Sequence, residues 1–483
     1  MKPVPVVCTA LGAAISYYAR AFLGDRGVPW FLGVLGVGMV SLTLVLANAP
    51  WFFHSPVRFW RAIRVYSTAF SIGFTLGLAA GVSQPVRLGL PQAQVTGMYG
   101  TLVNDPRAFQ DGRGMGYLVL QNIRGPGGIR STARGKALVF FPAGAIPRLR
   151  EFGRASEVFI EGVFLAPQGT DPVFRAASVH IVKPAPAWEQ FRTGIRINLM
   201  ARLSPYPWGG LALALLLGVR DTLDTGLAQG YQEAGCSHVL ALSGMHLAIV
   251  SGVLAFFLRK PLGLKGAALA GAVFVIGYIY LIGDLPSLYR AALMYLLGAL
   301  ALMGAWPRQP ALLLGMSFLI QIMVWPESGY TRSFILSYLA LWGILGIGET
   351  LYELIRGKLP DFLAQGFSAS LGAFIATGAV ISWFFGMLRP VGIIAGLLIV
   401  PLTTLFMIGA MAALVLEGLV PIGMVLSLLY DVLEGLVSLA GRVPGLPVSE
   451  PVWVLAASLG ISILIMVLNN RLRALRNNLV PFS

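Results

Sequence analysis

Charged side chains and cysteines are scarce in this sequence, and both shortages exclude classes of protein. Only 11% of the 483 residues are charged and 57% are hydrophobic, whereas an ordinary soluble domain is about one quarter charged. So few charges would not keep a soluble enzyme dispersed, and so many large apolar residues exclude intrinsic disorder. The composition therefore indicates a polytopic α-helical membrane protein.

Metal-binding and disulfide-forming side chains are also few. Two cysteines, Cys8 and Cys236, and four histidines are too little material for a disulfide framework or a soft-metal site. No His-x-His sequence occurs in the chain. We therefore expect neither a metal nor any other cofactor.

Long apolar runs occupy both ends of the chain. A bilayer span needs about 20 mostly apolar residues, and the first run is interpreted as a retained span rather than a cleaved signal peptide. About twelve spans are predicted, three in the N-terminal region 1–82 and nine in the region 236–470. They lie near 5–22, 28–47, 63–82, 236–257, 266–282, 286–304, 310–326, 331–348, 363–385, 391–416, 421–440 and 451–470.

Most of the net charge of +15 is explained by the loops between these spans. With the N-terminus inside, Lys and Arg concentrate in the predicted inner loops and in the basic tail 471–483. Cytoplasmic loops carry such an excess. The pattern predicts a multi-pass protein of the bacterial cytoplasmic membrane with both termini in the cytoplasm and residues 83–188 outside it.

Residues 83–188 predict a small all-β domain inserted after the third span. Gly- and Pro-rich turns separate its five β-rich stretches. Five short strands in about 100 residues favour an OB-like barrel. The predicted strands are Ala93–Val103, Met115–Asn122, Lys136–Phe141, Glu157–Leu165 and Val173–Val182.

This region is basic, with twelve Lys or Arg against six Asp or Glu, a surplus of +6. OB-folds bind single-stranded nucleic acid through a basic groove and stacking aromatic side chains. A purely structural barrel and a partner-docking domain are the alternatives. The basic candidates are Arg113, Arg124, Arg130, Arg134 and Lys136.

The connector 189–235 follows. Its beginning, together with Trp188, alternates charged and apolar residues at helical spacing, which predicts a basic amphipathic helix on the membrane surface. Leu211–Gly218 is too short to span a bilayer. It predicts a re-entrant or interfacial segment, which must be buried in protein or line an aqueous cavity.

The segment 218–252 places two histidines and small polar residues at the mouth of an apolar run. On one continuous helix His238 and His246 would be about 80° apart, and Ser243 would lie about 140° from His238. A helix broken at Gly244 would change this geometry. Interhelical hydrogen bonding and the lining of a polar path remain the alternatives for both histidines.

The stretch Gly235–Leu247, with the sequence GCSHVLALSGMHL, closely resembles the signature of the ComEC-type competence channel family. Three further stretches resemble other elements of that family and occur in the same order, namely Leu215–Asp221 before the signature and Pro286–Met294 and Ser333–Ala340 after it. The resemblance implies a channel domain at 236–470 that carries single-stranded DNA across the membrane during natural transformation. The candidate path residues are Arg220, Asp221, Ser237, His238, Ser243, His246 and Arg290.

Many members of this family also carry a metallo-β-lactamase-like nuclease domain with a His-x-His-x-Asp-His motif, which this sequence lacks. We therefore expect no enzyme activity in the chain itself. Besides single-stranded DNA and the lipid bilayer, the resemblance implies separate DNA receptor, nuclease and cytoplasmic helicase or ATPase partners. Self-association into a homo-oligomer is left open.

Ionisable residues within predicted spans are functional candidates because their burial in lipid is costly. Arg290 snorkels outward, pairs with Asp284 or contacts phosphate through its forked donors. Asp431 and Glu434 lie one turn apart on one span, as a proton-coupling pair or a structural one. Two alternative functions are a membrane-embedded hydrolase that uses Ser243 with His238 or His246, and a transporter of another solute.

Overall fold

A computed structural model describes residues 4–24, 86–109, 111–165, 173–416 and 420–478. The protein is mostly helical, with a separate β domain towards its N-terminal end. The predicted spans 28–47 and 63–82 lie outside the described residues.

The helices of the described residues follow the apolar runs of the sequence. Each predicted apolar run from 286 onward coincides with a helix, although several ends differ by a few residues. In chain order the helices are α1 Val4–Gly24, α2 Ala145–Phe152, α3 Ala187–Leu203, α4 Gly209–Leu217, α5 Thr225–Glu233, α6 Ser237–Leu240, α7 Gly244–Ile282, α8 Pro286–Met303, α9 Pro310–Val324, α10 Arg332–Gly343, α11 Glu349–Ile355, α12 Asp361–Phe385, α13 Val391–Val415, α14 Val420–Gly441 and α15 Pro451–Asn478. A π-helical turn, Ile344–Gly348, joins α10 to α11.

Six helices among the described residues are long and apolar enough to cross a membrane. They are α7, α8, the continuous α10–α11 segment, α12, α13 and α14. Shorter apolar helical stretches occur within α1, α9 and α15. Together these elements form a membrane-embedded protein.

Helix α7 folds back on itself. Gly263 in its middle has φ +66° and ψ −179°, a conformation that is essentially restricted to glycine. A straight helix of this length would place its ends roughly 58 Å apart. Ser287, just after the helix, instead donates a hydrogen bond from its hydroxyl to the carbonyl of Leu242, just before it, at 2.9 Å. Helix α7 is therefore a helical hairpin, in agreement with two predicted apolar runs, 236–257 and 266–282.

Short helix α4 is enclosed by protein. Its side chains from Leu211 to Leu217 are all buried. The Tyr278 hydroxyl, on α7, donates to the carbonyl of Leu216 at 2.8 Å. An apolar helix that is too short to span is thus covered by other helices.

The β domain is built on a ring of strand pairings. Strand β2 pairs antiparallel with β4 and with β7, β4 pairs antiparallel with β6, β7 pairs antiparallel with β8, and β6 closes the ring by pairing parallel with β8. Buried Met98, Leu118, Val139, Ile160 and Phe174 belong to the core inside the ring. The strands are β1 Arg87–Leu88, β2 Gly97–Leu102, β3 Arg107–Ala108, β4 Gly114–Arg124, β5 Arg130–Arg134, β6 Lys136–Phe141, β7 Glu157–Phe164 and β8 Val173–Lys183.

Four elements of this domain, strands β1, β3 and β5 and helix α2, were absent from the sequence-based prediction. Strand β5 pairs with the end of β4, and helix α2 connects β6 to β7. The predicted first strand is also too long, because residues Gln92–Gln94 form a 3-10 turn before β2 begins at Gly97. The five predicted strands otherwise correspond to the five strands of the ring.

Candidate functional sites

The signature segment 235–247 ends at the start of the α7 hairpin. Ser243 precedes the helix, and its hydroxyl accepts a hydrogen bond from the Met245 backbone N–H at 3.3 Å. The Ser243 backbone N–H donates to Nδ1 of His246 at 3.2 Å, and the Ser243 hydroxyl also lies 3.2 Å from Nδ1. The serine and the histidine of the signature therefore cap one helix.

His238 lies outside this arrangement. It belongs to the short helix α6, which ends at Leu240, so the two histidines do not share a helix. Ser237 and His238 are both exposed, whereas His246 is fully buried. The helix is thus broken before Gly244, and this break separates His238 from Ser243 and His246.

Arg290 connects the motifs Pro286–Met294 and Ser333–Ala340 to the start of α7. It is 8% exposed on α8, and its Nη1 donates to the carbonyl of Ser337, on α10, at 2.6 Å. Its guanidinium also lies 6.0 Å from the ring centre of Tyr338. A Cβ atom on Gly244 would be 2.8 Å from Arg290 Nη2. Three segments that were distinguished in the sequence therefore meet around one arginine.

The surroundings of Arg290 are polar and buried. The Tyr338 hydroxyl donates to Oε1 of Gln321 at 3.0 Å, and Nε2 of Gln321 donates to the carbonyl of Pro286 at 3.0 Å. Asp284 accepts a hydrogen bond from Tyr289. No ion pair joins Arg290 to Asp284 or to another described residue.

Arg220 and Asp221, which adjoin each other in sequence, have different partners. Arg220 donates from Nη2 to the carbonyl of Leu240 at 2.9 Å and so holds the signature segment. Asp221 pairs with Arg150 of helix α2 and accepts a hydrogen bond from the Ala108 backbone at 3.2 Å. Asp221 is therefore a contact between the β domain and the membrane helices.

A larger ionic network joins the β domain to the membrane helices, and no sequence pattern predicted it. Arg192 on helix α3, which is 1% exposed, pairs with Asp105 of the β domain at 2.7 Å and with Glu189 at 3.2 Å. Arg154 of the β domain pairs with Glu189 at 2.5 Å. Arg196 lies 3.3 Å from Asp105. Burial by itself raises the pKa of Asp105, but the Arg192 hydrogen bond and the charges of Arg196 and Arg192 outweigh it, so that pKa lies below its usual range.

Arg192 and Arg196 also contact the end of the α7 hairpin. Nε of Arg192 donates to the carbonyl of Tyr280 at 2.7 Å, and Nη1 of Arg196 donates to the carbonyl of Leu281 at 3.0 Å. The last carbonyls of a helix lack partners within the helix and attract cations. The arginines therefore fix the β domain, helix α3 and α7 in one contact.

Helix α3 is present where an amphipathic helix was predicted, but most of its charged side chains face the protein and Arg202 alone among them is exposed. Glu189 and Arg192 are buried, whereas Trp188, Phe191 and Ile195 are exposed, Phe191 to 68%. The sequence could not indicate this orientation, because the carboxylates that pair with the helix lie elsewhere in the chain.

The basic candidates of the β domain fall into two groups. Arg113 forms a 2.5 Å pair with Asp111, and Lys136 pairs with Glu327, which lies between α9 and α10. Arg124, Arg130 and Arg134 are exposed and form no ion pair with a described residue.

These last arginines occupy adjacent strands. Arg124 lies opposite Arg130, and Arg134 lies opposite Arg87. Like charges directly opposite each other destabilise a sheet. Two such pairs on neighbouring strands create a positively charged face that an anion would neutralise.

A row of aromatic rings crosses the neighbouring strands. Tyr99 is opposite Phe159, with ring centres 4.3 Å apart, and Phe159 is opposite His180, at 6.4 Å. Arg130 lies over the Tyr99 ring at 5.6 Å. The row therefore borders the arginine pairs.

Asp431 and Glu434 are both exposed on helix α14. No ion pair joins either of them to a described residue. Within the described residues, no group of three or more His, Cys, Asp and Glu side chains is arranged to hold a metal ion.

Comparison with known proteins places the membrane helices in a family. Residues 215–473, more than half of the chain, match the family model described as Competence protein. The sequence is 25% identical to ComE operon protein 3 of Bacillus subtilis (strain 168) over 213 residues, which are 43% of this chain and 26% of that protein. The match thus spans about a quarter of the relative, and no solved structure matches. The resemblance drawn from the signature segment is confirmed, and the chain belongs to the Competence protein family.

Proposed function

We propose that this protein serves DNA uptake in natural transformation by carrying single-stranded DNA across the cytoplasmic membrane. The β domain receives the strand, and the membrane helices carry it. The observation that supports this proposal most is the pair of accessible rings Tyr99 and His180, which flank buried Phe159, beside the unpaired arginines. Stacking rings next to cations are how single strands are bound without sequence preference.

The strand order of the β domain supports an OB-like barrel. Taken in chain order, the ring strands β2, β4, β6, β7 and β8 pair in the circuit first–second–third–fifth–fourth–first. OB-folds bind oligonucleotides on the face of their second and third strands. Arg124 ends the second ring strand, and Arg130 and Arg134 lie on β5 between the second and the third.

Contacts with the β domain involve one end of the membrane helices. They reach Asp221, the last turn of α7, where Arg154 lies over the Tyr280 ring, and Glu327 before α10. We place this end outside the cell, with about twelve spans in the complete bundle and both termini in the cytoplasm. In this proposal, separate receptor, nuclease and helicase or ATPase proteins act before and after transport by this protein.

A binding assay on the full chain tests the role of the β domain. The protein in lipid nanodiscs is titrated with a fluorescent poly-dT oligonucleotide at several salt concentrations. The affinity should fall as salt rises, because strand binding releases counterions from phosphates. The double variant Arg124→Gln/Arg130→Gln should bind more weakly, whereas Arg148→Gln, at an exposed position on α2, should match the wild type.

A genetic test addresses transport. In a transformable host, deletion of the gene should abolish transformation while DNA still binds to the cell surface. An unchanged transformation frequency would reject the proposal for that host.

One observation favours a second function, a membrane-embedded hydrolase. The Ser243 hydroxyl lies 3.2 Å from Nδ1 of His246, within reach of a nucleophile and its base. The same hydroxyl accepts a helix-capping hydrogen bond, however, and no described acidic group orients Nε2 of His246. Labelling of Ser243 by a fluorophosphonate probe, lost in His246→Gln, would favour the hydrolase.

A further inference from the structure

Arg290 is a buried cation without a counter-charge. It is 8% exposed within a bundle of apolar helices, and no described carboxylate pairs with it. An unpaired buried charge is costly, and such groups are therefore normally paired. The positive charge at this position calls for an anion.

The guanidinium has one edge engaged and one edge available. Nη1 donates to the Ser337 carbonyl, whereas Nε has no hydrogen-bond partner among the described residues. Nη2, which shares the other edge with Nε, lies over Gly244. Two parallel N–H donors on one edge of an arginine match the two oxygens of a phosphate or carboxylate.

The neighbouring groups are also suited to an anion. Gly244 is the first residue of α7, where the helix dipole favours negative charge. His246 is fully buried on the first turn, and its Nε2 makes no full hydrogen bond with a described residue, although the Val239 backbone lies close to the ring. Since Nδ1 accepts the Ser243 N–H, Nε2 is the nitrogen that carries the proton in the neutral ring and can donate it.

We propose that Arg290, the N-terminus of α7 and His246 form a binding site for one oxyanion among the membrane helices. This inference deepens the proposed function, since a phosphodiester of the moving strand has the required chemistry. A free inorganic phosphate has it as well. The lack of a side chain at Gly244 leaves the guanidinium room to approach the helix terminus.

Thermal unfolding of the full chain in nanodiscs tests the site with inorganic phosphate as the probe. Phosphate should raise the Tm of the wild type above that in sodium chloride of equal ionic strength, because a ligand of the native state stabilises it. Arg290→Gln should lose this difference, and Arg308→Gln, at an exposed position after α8, should keep it. An equal phosphate effect in wild type and Arg290→Gln would overturn the site.

A second variant keeps the test decisive if Arg290→Gln fails to fold. Gly244→Ala retains the arginine but places a methyl group 2.8 Å from Nη2 and displaces the guanidinium. Alanine is also a better helix residue than glycine, so the fold should be kept. Phosphate affinity should fall about tenfold or more, about 1.4 kcal/mol. An unchanged affinity in a folded Gly244→Ala protein would contradict the proposed geometry.

Transformation assays distinguish the two sources of the oxyanion. If the ligand is the strand phosphate, Gly244→Ala and Arg290→Lys cells should transform at least tenfold less often, with protein level and surface DNA binding unchanged. If it is free phosphate, transformation should stay at the wild-type frequency while the Tm effect still depends on Arg290. A wild-type protein that binds phosphate but not poly-dT would instead reject the strand-receiving role of the β domain and leave this site standing.

Discussion

Arg192 and Asp105, 87 residues apart in the sequence, form a 2.7 Å salt bridge that joins the connector helix to the β domain. The same arginine donates to the carbonyl of Tyr280 at the end of the α7 hairpin. A single buried guanidinium therefore contacts the β domain and the α7 hairpin at the same time. Its charge is balanced from both sides, by Asp105 and by Glu189.

Replacing Arg192 with methionine should loosen the attachment of the β domain to α3 and α7. The variant removes a positive charge that pairs with buried Glu189 and partly buried Asp105. Breaking a buried pair costs roughly 3–5 kcal/mol. Hydrogen exchange of the full chain should speed up in α3 and in the last turn of α7. Arg113→Met removes an exposed pair with Asp111 and should leave exchange in those segments unchanged. Equal protection of α3 in both variants would contradict the proposed role of the network.

The Asp105 contact should weaken in acid. Its pKa is lower in the folded protein than in the unfolded chain, where an aspartate titrates at about 3.9. The carboxylate therefore contributes stability at neutral pH, and that contribution declines as the pH falls below about 4 and towards the folded pKa. Asp105→Asn should lower the Tm at pH 7, and the difference from wild type should narrow at pH 3. A Tm difference that is constant between these pH values would exclude this linkage.

The sequence predicted the elements better than the contacts between them. Apolar run length predicts a helix locally, so α8, α12 and α13 were found close to their observed ends. Strand β5, with the sequence RSTAR, has no apolar alternation and was missed, although it carries two candidate arginines. The pairing of Arg192 with Asp105 depends on tertiary structure and leaves no local pattern in either segment.

For the motif residues, too, the sequence was informative about position but not about contacts. Their positions in sequence could be compared with a family signature, which selected Ser243, His246 and Arg290, and the structure brings these three residues together at the start of α7. The split between Arg220, which holds the signature loop, and Asp221, which pairs with Arg150, follows from where the β domain sits. That arrangement depends on contacts between residues more than 70 positions apart in the sequence. It could not be inferred from the local sequence around Arg220 and Asp221.

Tyr99 should contribute stacking to strand binding. Stacking of a base on an aromatic side chain is worth about 1–3 kcal/mol, so Tyr99→Ala should weaken poly-dT binding by roughly 5- to 150-fold. The loss should persist at high salt, because stacking is not a charge effect. Phe109→Ala, which removes an exposed ring that stacks on Phe140, is the control and should bind as wild type. Equal affinities for Tyr99→Ala and Phe109→Ala would place the strand elsewhere.

Arg130 should contribute through charge instead. In Arg130→Gln the plot of log affinity against log salt should become shallower by about 0.7 for one lost phosphate contact on a single strand. The variant also relieves the repulsion from Arg124 on the opposite strand, so the β domain should be no less stable. An unchanged salt slope, measured by fluorescence titration, would show that Arg130 does not contact phosphate.

Gly263 should be required for the α7 hairpin because of its backbone conformation alone. A Cβ there would meet no atom within 4 Å, yet φ is +66° with ψ −179°. For a residue with a side chain this conformation costs about 1–3 kcal/mol, so Gly263→Ala should lower the Tm of the full chain in nanodiscs. Gly252, on the same helix, also has open space around it but no positive φ. Gly252→Ala should therefore raise stability by about 0.5–1 kcal/mol. Opposite changes in stability for the two substitutions are expected only if the Gly263 effect comes from its backbone conformation.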